Sequence, residues 1–225
     1  MLIYGKQPVY YALANHANKI ETLYLAKELD KKEYNALMKM GVEIKRIPHE
    51  AAQKMSKSAN HQGFLAEIED ISLREKSFLK SCDFVVVLNS LTDMGNIGSI
   101  ARSAYALGAD AIVICGVKNP QLDGIVRTSA GAALDLAIVV NHNIYDILHE
   151  LKQYNFKLYG AAMGGEDIKS VAFDGKRALV LGSESDGLSA RVQKMLDKSI
   201  SIPMKHNFDS LNVSVAAAIL IERMR

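Results

Sequence analysis

Three short segments hold the side chains whose types and spacing suit chemistry: Asn96-x-Gly98-x-x-x-Arg102, Gly182-x-Glu184-x-x-Gly187, and Ile202-Pro203-Met204 followed by Ser210-Leu211-Asn212. Each follows an apolar run of strand type. In open α/β sheets such strand ends are where loops carry polar groups over a rigid scaffold. A permanently charged guanidinium at Arg102 suits an anion or a developing negative charge. A carboxylate at Glu184 repels phosphate, so it favours a neutral or cationic ligand or an arginine partner. Three polar loops at strand ends point to one site.

Each segment also has an ordinary structural reading. Asn96 sits where a helix cap belongs, with the helix expected over Ile97 to Leu107 and stopped by Gly108. Gly98 weakens that helix by roughly 1 kcal/mol relative to Ala, so a close backbone approach is expected there. Small neighbours around Arg102 predict a guanidinium lying against other backbone rather than in solvent. Ser189 is placed to cap a helix running to Leu196, and Ser210 to cap a closing helix from about Leu211 to Arg223. The loop KHNFDS ahead of Ser210 is polar and long enough to line a pocket, and Val213, Val215 to Ala218 and Ile219 form a surface suited to close packing.

The elements that must position these residues alternate along the chain. From Met1 to about Ile68, short apolar runs (LIY, ETLYLA, VEIKRI, GFLAEI) alternate with helical patterns, giving a small α/β domain over 1–70. The polar stretch DISLREKSFLKS supplies a linker over 71–82. Residues 83–225 then carry FVVVL, AIVIC, LAIVV, KLYGAA, ALVLG and SISIP, near-continuous apolar runs that imply strands covered on both faces. Helical patterns between them predict a mostly parallel sheet with crossover helices.

Composition narrows the classes. At 225 residues and 49% hydrophobic, the chain can bury a substantial core. No apolar run reaches the roughly 20 residues of a bilayer span, and the start MLIYGKQPVYYAL lacks a secretory pattern, so a cytoplasmic protein without a membrane role is expected. Two cysteines, Cys82 and Cys115, give no disulfide framework. His142 and His149 lie seven apart, unlike paired helix ligands, and no cluster completes a metal set; no metal is expected. Net charge is only +2, so the densest basic neighbourhood, Lys45, Arg46, Lys54 and Lys57 with His49 and His61, is the candidate phosphate-facing patch. The glycine turn meets neither the dinucleotide nor the P-loop fingerprint, which counts against a dehydrogenase, and LGSES lacks the second glycine of a hydrolase elbow.

In this order, the three segments closely resemble the SpoU (TrmH) branch of the SPOUT RNA methyltransferases, and VRTSAGAALDLAIVV resembles that family's stretch between its first and second motifs. The likeness covers Phe84 to Arg225. IYGKQPVYYAL and HQGFLAEI resemble the family's N-terminal ribosomal-protein-like RNA-binding domain, which makes the RlmB-like subgroup, acting on a guanosine ribose of 23S ribosomal RNA, the nearest. Two departures stand out: Ser185-Asp186 follows Glu184 where a glycine is frequent, and TDMGN replaces the more usual Asp-Pro-x-Asn opening.

The resemblance implies S-adenosylmethionine as methyl donor, a ribose 2′-hydroxyl as acceptor, a C-terminal deep trefoil knot, and a homodimer packed through the last helix. It implies that Ala161, Gly182, Ile202, Met204 and Leu211 surround the cofactor, and that Asn96, Arg102, Glu184, Ser210 and Asn212 are catalytic. Arg102 would steer the hydroxyl, stabilise developing alkoxide or grip a phosphate, oriented by Glu184, while Ser210 and Asn212 position ribose or phosphate. Ribosomal RNA is the expected partner, with transfer RNA as the alternative substrate, and a non-catalytic RNA-binding or ribosome-assembly factor is the alternative from another class.

Overall fold

In the computed structural model, which describes residues 1–206 and 210–225, the chain forms two sheets. The first is built from β1 (Leu2–Tyr4), β2 (Ile20–Leu25), β3 (Glu43–Arg46) and β4 (Phe64–Ile68), in the order β1-β4-β2-β3. β4 runs antiparallel to both neighbours, while β2 and β3 are parallel. Helices α1 (Lys6–His16), α2 (Lys31–Met38) and α3 (His49–Met55) connect these strands. Asp30 caps α2 by accepting from the Glu33 N–H.

The second sheet has six strands, all parallel: β5 (Phe84–Asn89), β6 (Ala111–Cys115), β7 (Ala137–Asn141), β8 (Lys157–Asp167), β9 (Arg177–Leu181) and β10 (Lys198–Ser201), in the order β10-β8-β9-β5-β6-β7. Strand alternation explains why these runs are apolar throughout. Phe84, Val86 and Leu88 face one side, packed with Ile97, Ile100, Leu220 and Ile221; Val85 and Val87 face the other, against Ile144, Ile147, Leu148 and Leu151. The helices supplying those residues are α4 (Met94–Ala106) and α8 (Val213–Met224) on the first side and α6 (Ile144–Gln153) on the second.

Helix α5 (Leu122–Thr128) lies against α4 and has no clear sequence signal: Gln121 precedes it without a side-chain cap bond, and Gly124 interrupts it. Its contact with α4 explains Gly98. A Cβ at Gly98 would fall 1.8 Å from Thr128 Oγ1, which donates to the Met94 carbonyl at 2.8 Å. The expected close approach is there, and α5 makes it.

Two helix starts differ from the sequence expectation. Asp93, not Asn96, caps α4; its carboxylate accepts from the Asn96 N–H at 2.7 Å, so the helix begins three residues early. Asn212, not Ser210, caps α8, accepting from the Ser214 N–H at 2.9 Å. Asp and Asn cap at least as well as Ser, so the chain had nearer choices than those first read. Ser189 does cap α7 (Ala190–Gln193), a shorter helix than expected. The packing surface of α8 also divides: Ala217, Leu220, Ile221 and Met224 are buried, whereas Val215 and Ile219 are exposed. No described helix is long and apolar enough to cross a membrane.

The polar stretch before β5 is docked rather than slack. The Arg74 N–H donates to the Ile138 carbonyl at 2.8 Å, Leu79 is buried, and Lys76 Nζ reaches Glu150 at 2.7 Å. After β9 the chain passes beyond β8 to lay β10 on the far edge, then returns through α8 to pack on α4 and β9.

Candidate active site

Parallel strands send all their C-terminal ends to one side, so the connections leaving β8, β9 and β10 converge there. They enclose a cavity of about 970 Å³ lined by Ala161, Gly182, Glu184, Ile202, Met204, Ser210, Leu211 and Asn212, among others. All five positions expected to surround a cofactor line it, as do three of the five expected catalytic ones. Described neighbours that sequence reasoning missed are Ala162, Met163, Leu188 and Gln193. They belong to no polar motif: Ala162 ends the apolar run KLYGAA, and Met163 lies just past it, where β8 continues to Asp167.

The β9 connection is a tight turn. The Ser183 and Gly187 backbones exchange hydrogen bonds at 3.2 and 3.0 Å, and the Asp186 N–H donates to Ser183 Oγ at 3.1 Å. Gly187 adopts φ +64°, and a Cβ on Gly182 would fall 2.1 Å from the Gly187 carbonyl carbon, so both glycines are demanded by the turn itself. Ser185 Oγ donates to Asp186 Oδ2 at 2.6 Å, turning those two side chains toward each other at the rim.

Asn96 does not line the cavity; it stands behind it and joins its walls. Its Nδ2 donates to Glu184 Oε1, and its Oδ1 accepts from Asn212 Nδ2 at 3.2 Å. One amide thus ties three loops, those following β5, β9 and β10. Capping by Asp93 is what frees the Asn96 side chain for this. Glu184 therefore pairs with Asn96, where orientation of Arg102 was expected.

Arg102 differs most from expectation. Its side chain is exposed and makes no hydrogen bond or ion pair among the described residues. Six positions beyond Asn96 on a helix put it about 120° around the axis, facing away from the lining. It is available to something arriving over α4, not to the cavity floor. The central residues of the loop KHNFDS, 207–209, lie outside the described residues.

The basic patch read near α3 is partly consumed internally. His61 is buried and packs against His49 with ring centroids 5.0 Å apart; Arg46 lies over the Tyr34 ring; Lys45 pairs with Glu43 at 3.2 Å. Lys54 and Lys57 remain exposed. No group of three or more metal-binding side chains occurs among the described residues.

The whole chain shares its fold with the SpoU methyltransferase AviRb from Streptomyces viridochromogenes, solved in complex with AdoMet: TM-score 0.81, 24% identity, 100% of this chain and 88% of that one. An AdoMet-bound rRNA methyltransferase from Sinorhizobium meliloti aligns with TM-score 0.78 at 20% identity over 100% of this chain and 86% of that one. These show that the molecule has the fold of those SpoU and rRNA methyltransferase structures. Residues 83–222 match the SpoU rRNA Methylase family and residues 2–73 match the RNA 2′-O ribose methyltransferase substrate-binding family; the chain belongs to the SpoU rRNA methylase family. Among relatives, the 23S rRNA (guanosine-2′-O-)-methyltransferase RlmB of Xylella fastidiosa is 35% identical over 86% of this chain and 81% of its own length. That of Haemophilus ducreyi is 29% identical over 97% and 94%.

Proposed function

We propose that this protein is an S-adenosylmethionine-dependent RNA ribose 2′-O-methyltransferase whose substrate is a guanosine of 23S ribosomal RNA. The observation that carries the reading is the cavity: Ala161, Gly182, Ile202, Met204 and Leu211 line it together with Glu184, Ser210 and Asn212. Its size and mixed lining suit a nucleoside-containing cofactor. The bare Cα of Gly182 leaves backbone where a side chain would otherwise stand. The RlmB relatives of near full length support the RNA class.

Bound S-adenosylmethionine supplies an electrophilic methyl group. The protein's part is to hold a weakly nucleophilic ribose hydroxyl in line with it and to manage the hydroxyl proton. Arg102 stays protonated, so it works as a donor: it grips a phosphate of RNA arriving over α4. Glu184 is held by Asn96 through Oε1. Its Oε2, without a hydrogen bond among the described residues, is an acceptor in the lining that can take the proton. Ser210 and Asn212 position ribose or phosphate at the mouth. The substrate-binding module at the front of the chain holds the surrounding RNA.

A cytoplasmic homodimer belongs to the same reading. Val215 and Ile219, four apart on α8 and 49% and 40% exposed, form an apolar stripe that a second copy would cover. Light scattering of the purified protein tests it, with a monomer as the contrary result.

The function is tested by incubating the protein with radiolabelled S-adenosylmethionine and unmodified 23S ribosomal RNA or transfer RNA, then identifying the labelled nucleoside. Label in 2′-O-methylguanosine from 23S RNA is expected. Label only in transfer RNA replaces the substrate. Cofactor binding with no transfer to either, including immature ribosomal particles, leaves the non-catalytic RNA-binding reading in its place.

A further inference from the structure

A tethered substrate-binding module is ordinarily free to move, because contacts between domains of one chain are usually small and polar. Here one apolar core runs through both sheets. Ile3, Val9 and Phe64 of the first belong to the same buried cluster as Ile125, Val126 and Ala133 beside the second. Around that seam lie specific polar contacts. Tyr11 of α1 donates its hydroxyl hydrogen to Asp135 Oδ2 at 2.5 Å, across 124 residues of sequence. His16, at the end of α1, brings Nε2 within 3.0 Å of Asp135 Oδ1, though out of line for a hydrogen bond. Arg127 of α5 lies over the Tyr4 ring, 5.2 Å from its centroid.

The backbone opposite is shaped to this contact. Gly131 has φ +98°, and a Cβ there would fall 2.7 Å from the Cβ, Cγ and Cδ1 of Tyr11. Burial, then the hydrogen bond to Asp135 and the nearby Tyr105 phenol, hold the Tyr11 phenol well above its ordinary pKa, so it remains a donor at all physiological pH. Tyr105 stands on α4, three residues beyond Arg102. α4 is in turn locked to α5 through Gly98 and Thr128. The path from the module to the helix that carries Arg102 is therefore short.

We infer that Tyr11 and Asp135 are positioning residues for methyl transfer: their contact fixes the RNA-holding module against α4, so that RNA gripped by the module is presented to Arg102 in one orientation. This rests on the function proposed above. Neither residue lines the cavity, so cofactor binding is independent of them. Their effect is on the fraction of bound RNA that is correctly placed, and small misplacements of a reacting group are known to be costly.

Three variants separate positioning from mere structure: Tyr11→Phe, Asp135→Ala, and Asp135→Asn, which keeps a carbonyl acceptor for the tyrosine. Tyr11→Phe and Asp135→Ala should each lower kcat about tenfold, the equivalent of one lost hydrogen bond. The Kd for S-adenosylmethionine and for 23S RNA should stay within about twofold, and Asp135→Asn should recover most of the loss. The double variant Tyr11→Phe/Asp135→Ala should be no worse than either single one, and small-angle scattering should show its radius of gyration increased. Unchanged kcat in both single variants, or cofactor affinity falling in parallel with kcat, overturns the inference. Absence of transfer by the unaltered protein overturns instead the function on which it rests, and unchanged scattering by the double variant then overturns the docking role as well.

Discussion

The two sheets are similar in their ingredients and opposite in what they can build. In the six-stranded sheet every strand points the same way, so the connections leaving β8, β9 and β10 meet and enclose a cavity. In the four-stranded sheet β4 runs against β1 and β2, so connections are divided between both ends. Its polar and charged groups spread over a surface. A site that must surround a small molecule needs the first arrangement; a module that must hold a large, folded polyanion is served by the second. The difference lies in strand direction more than in composition.

The largest expected effect tests whether chemistry sits with the parallel sheet. Arg102→Ala should reduce kcat for methyl transfer by roughly 10³-fold, the scale of losing a charge-stabilising donor, with S-adenosylmethionine affinity changed less than about threefold. Titration calorimetry alongside single-turnover kinetics measures both. A variant with more than a tenth of normal kcat would remove Arg102 from the mechanism. Gly182→Ala attacks the cavity wall instead. Its new Cβ meets the Gly187 backbone at 2.1 Å, a neighbour that cannot rotate away, so destabilisation of about 2–3 kcal/mol and at least tenfold weaker cofactor binding are expected. Normal melting and normal affinity would mean that the turn is looser than drawn.

Much of this contrast was legible in the sequence. Strands buried on both faces advertise themselves as apolar runs, and β5, β6, β7, β9 and β10 fall where FVVVL, AIVIC, LAIVV, ALVLG and SISIP stand. The five positions expected around a cofactor came from the family resemblance of the motifs and not from a local rule, and all five line the cavity. Other features depend on residues far apart and left none. Nothing near Glu184 reveals that its partner is Asn96, 88 positions away. The far half of β8 carries Met163, Gly164, Gly165 and Glu166 because it is exposed, so hydropathy could not extend the strand. Nor did local pattern show that Asp93 would cap α4 and release Asn96 for the site; Asp three residues before Asn96 was the available signal.

That release gives a smaller, sharper test. Asn96→Ala removes the link among three loops without touching the lining, so it should cost about 10- to 100-fold in kcat and leave α4 capped by Asp93 with little change in melting temperature. Asn96→Asp keeps an acceptor for Asn212 but sets a carboxylate against Glu184, and should be at least as inactive as the alanine variant. Equal activity in all three proteins would show the link to be incidental.

The smallest effect separates the sheets by their response to acid. In the four-stranded module His61 is buried; its Nδ1 accepts from the Gly63 N–H at 3.0 Å, so its proton sits on Nε2, which has no partner among the described residues. Burial, then the positive charge of neighbouring His49 when protonated, lower its pKa below the ordinary value. The unfolded chain therefore takes up this proton first as pH falls. Stability from this residue is intact above about pH 6.5 and declines below it, by at most ~1.4 kcal/mol per pH unit until the native pKa is reached. His142 and His149, near the six-stranded sheet, are exposed and carry no comparable burial. At pH 5, amides of Phe64–Ile68 should thus lose protection more than those of Phe84–Asn89, after correction for intrinsic exchange. His61→Asn, whose Oδ1 can replace Nδ1 as acceptor, should narrow that gap. An equal loss in both sheets, or a gap indifferent to the substitution, would mean that acid sensitivity is a property of the whole core and not of this one buried imidazole.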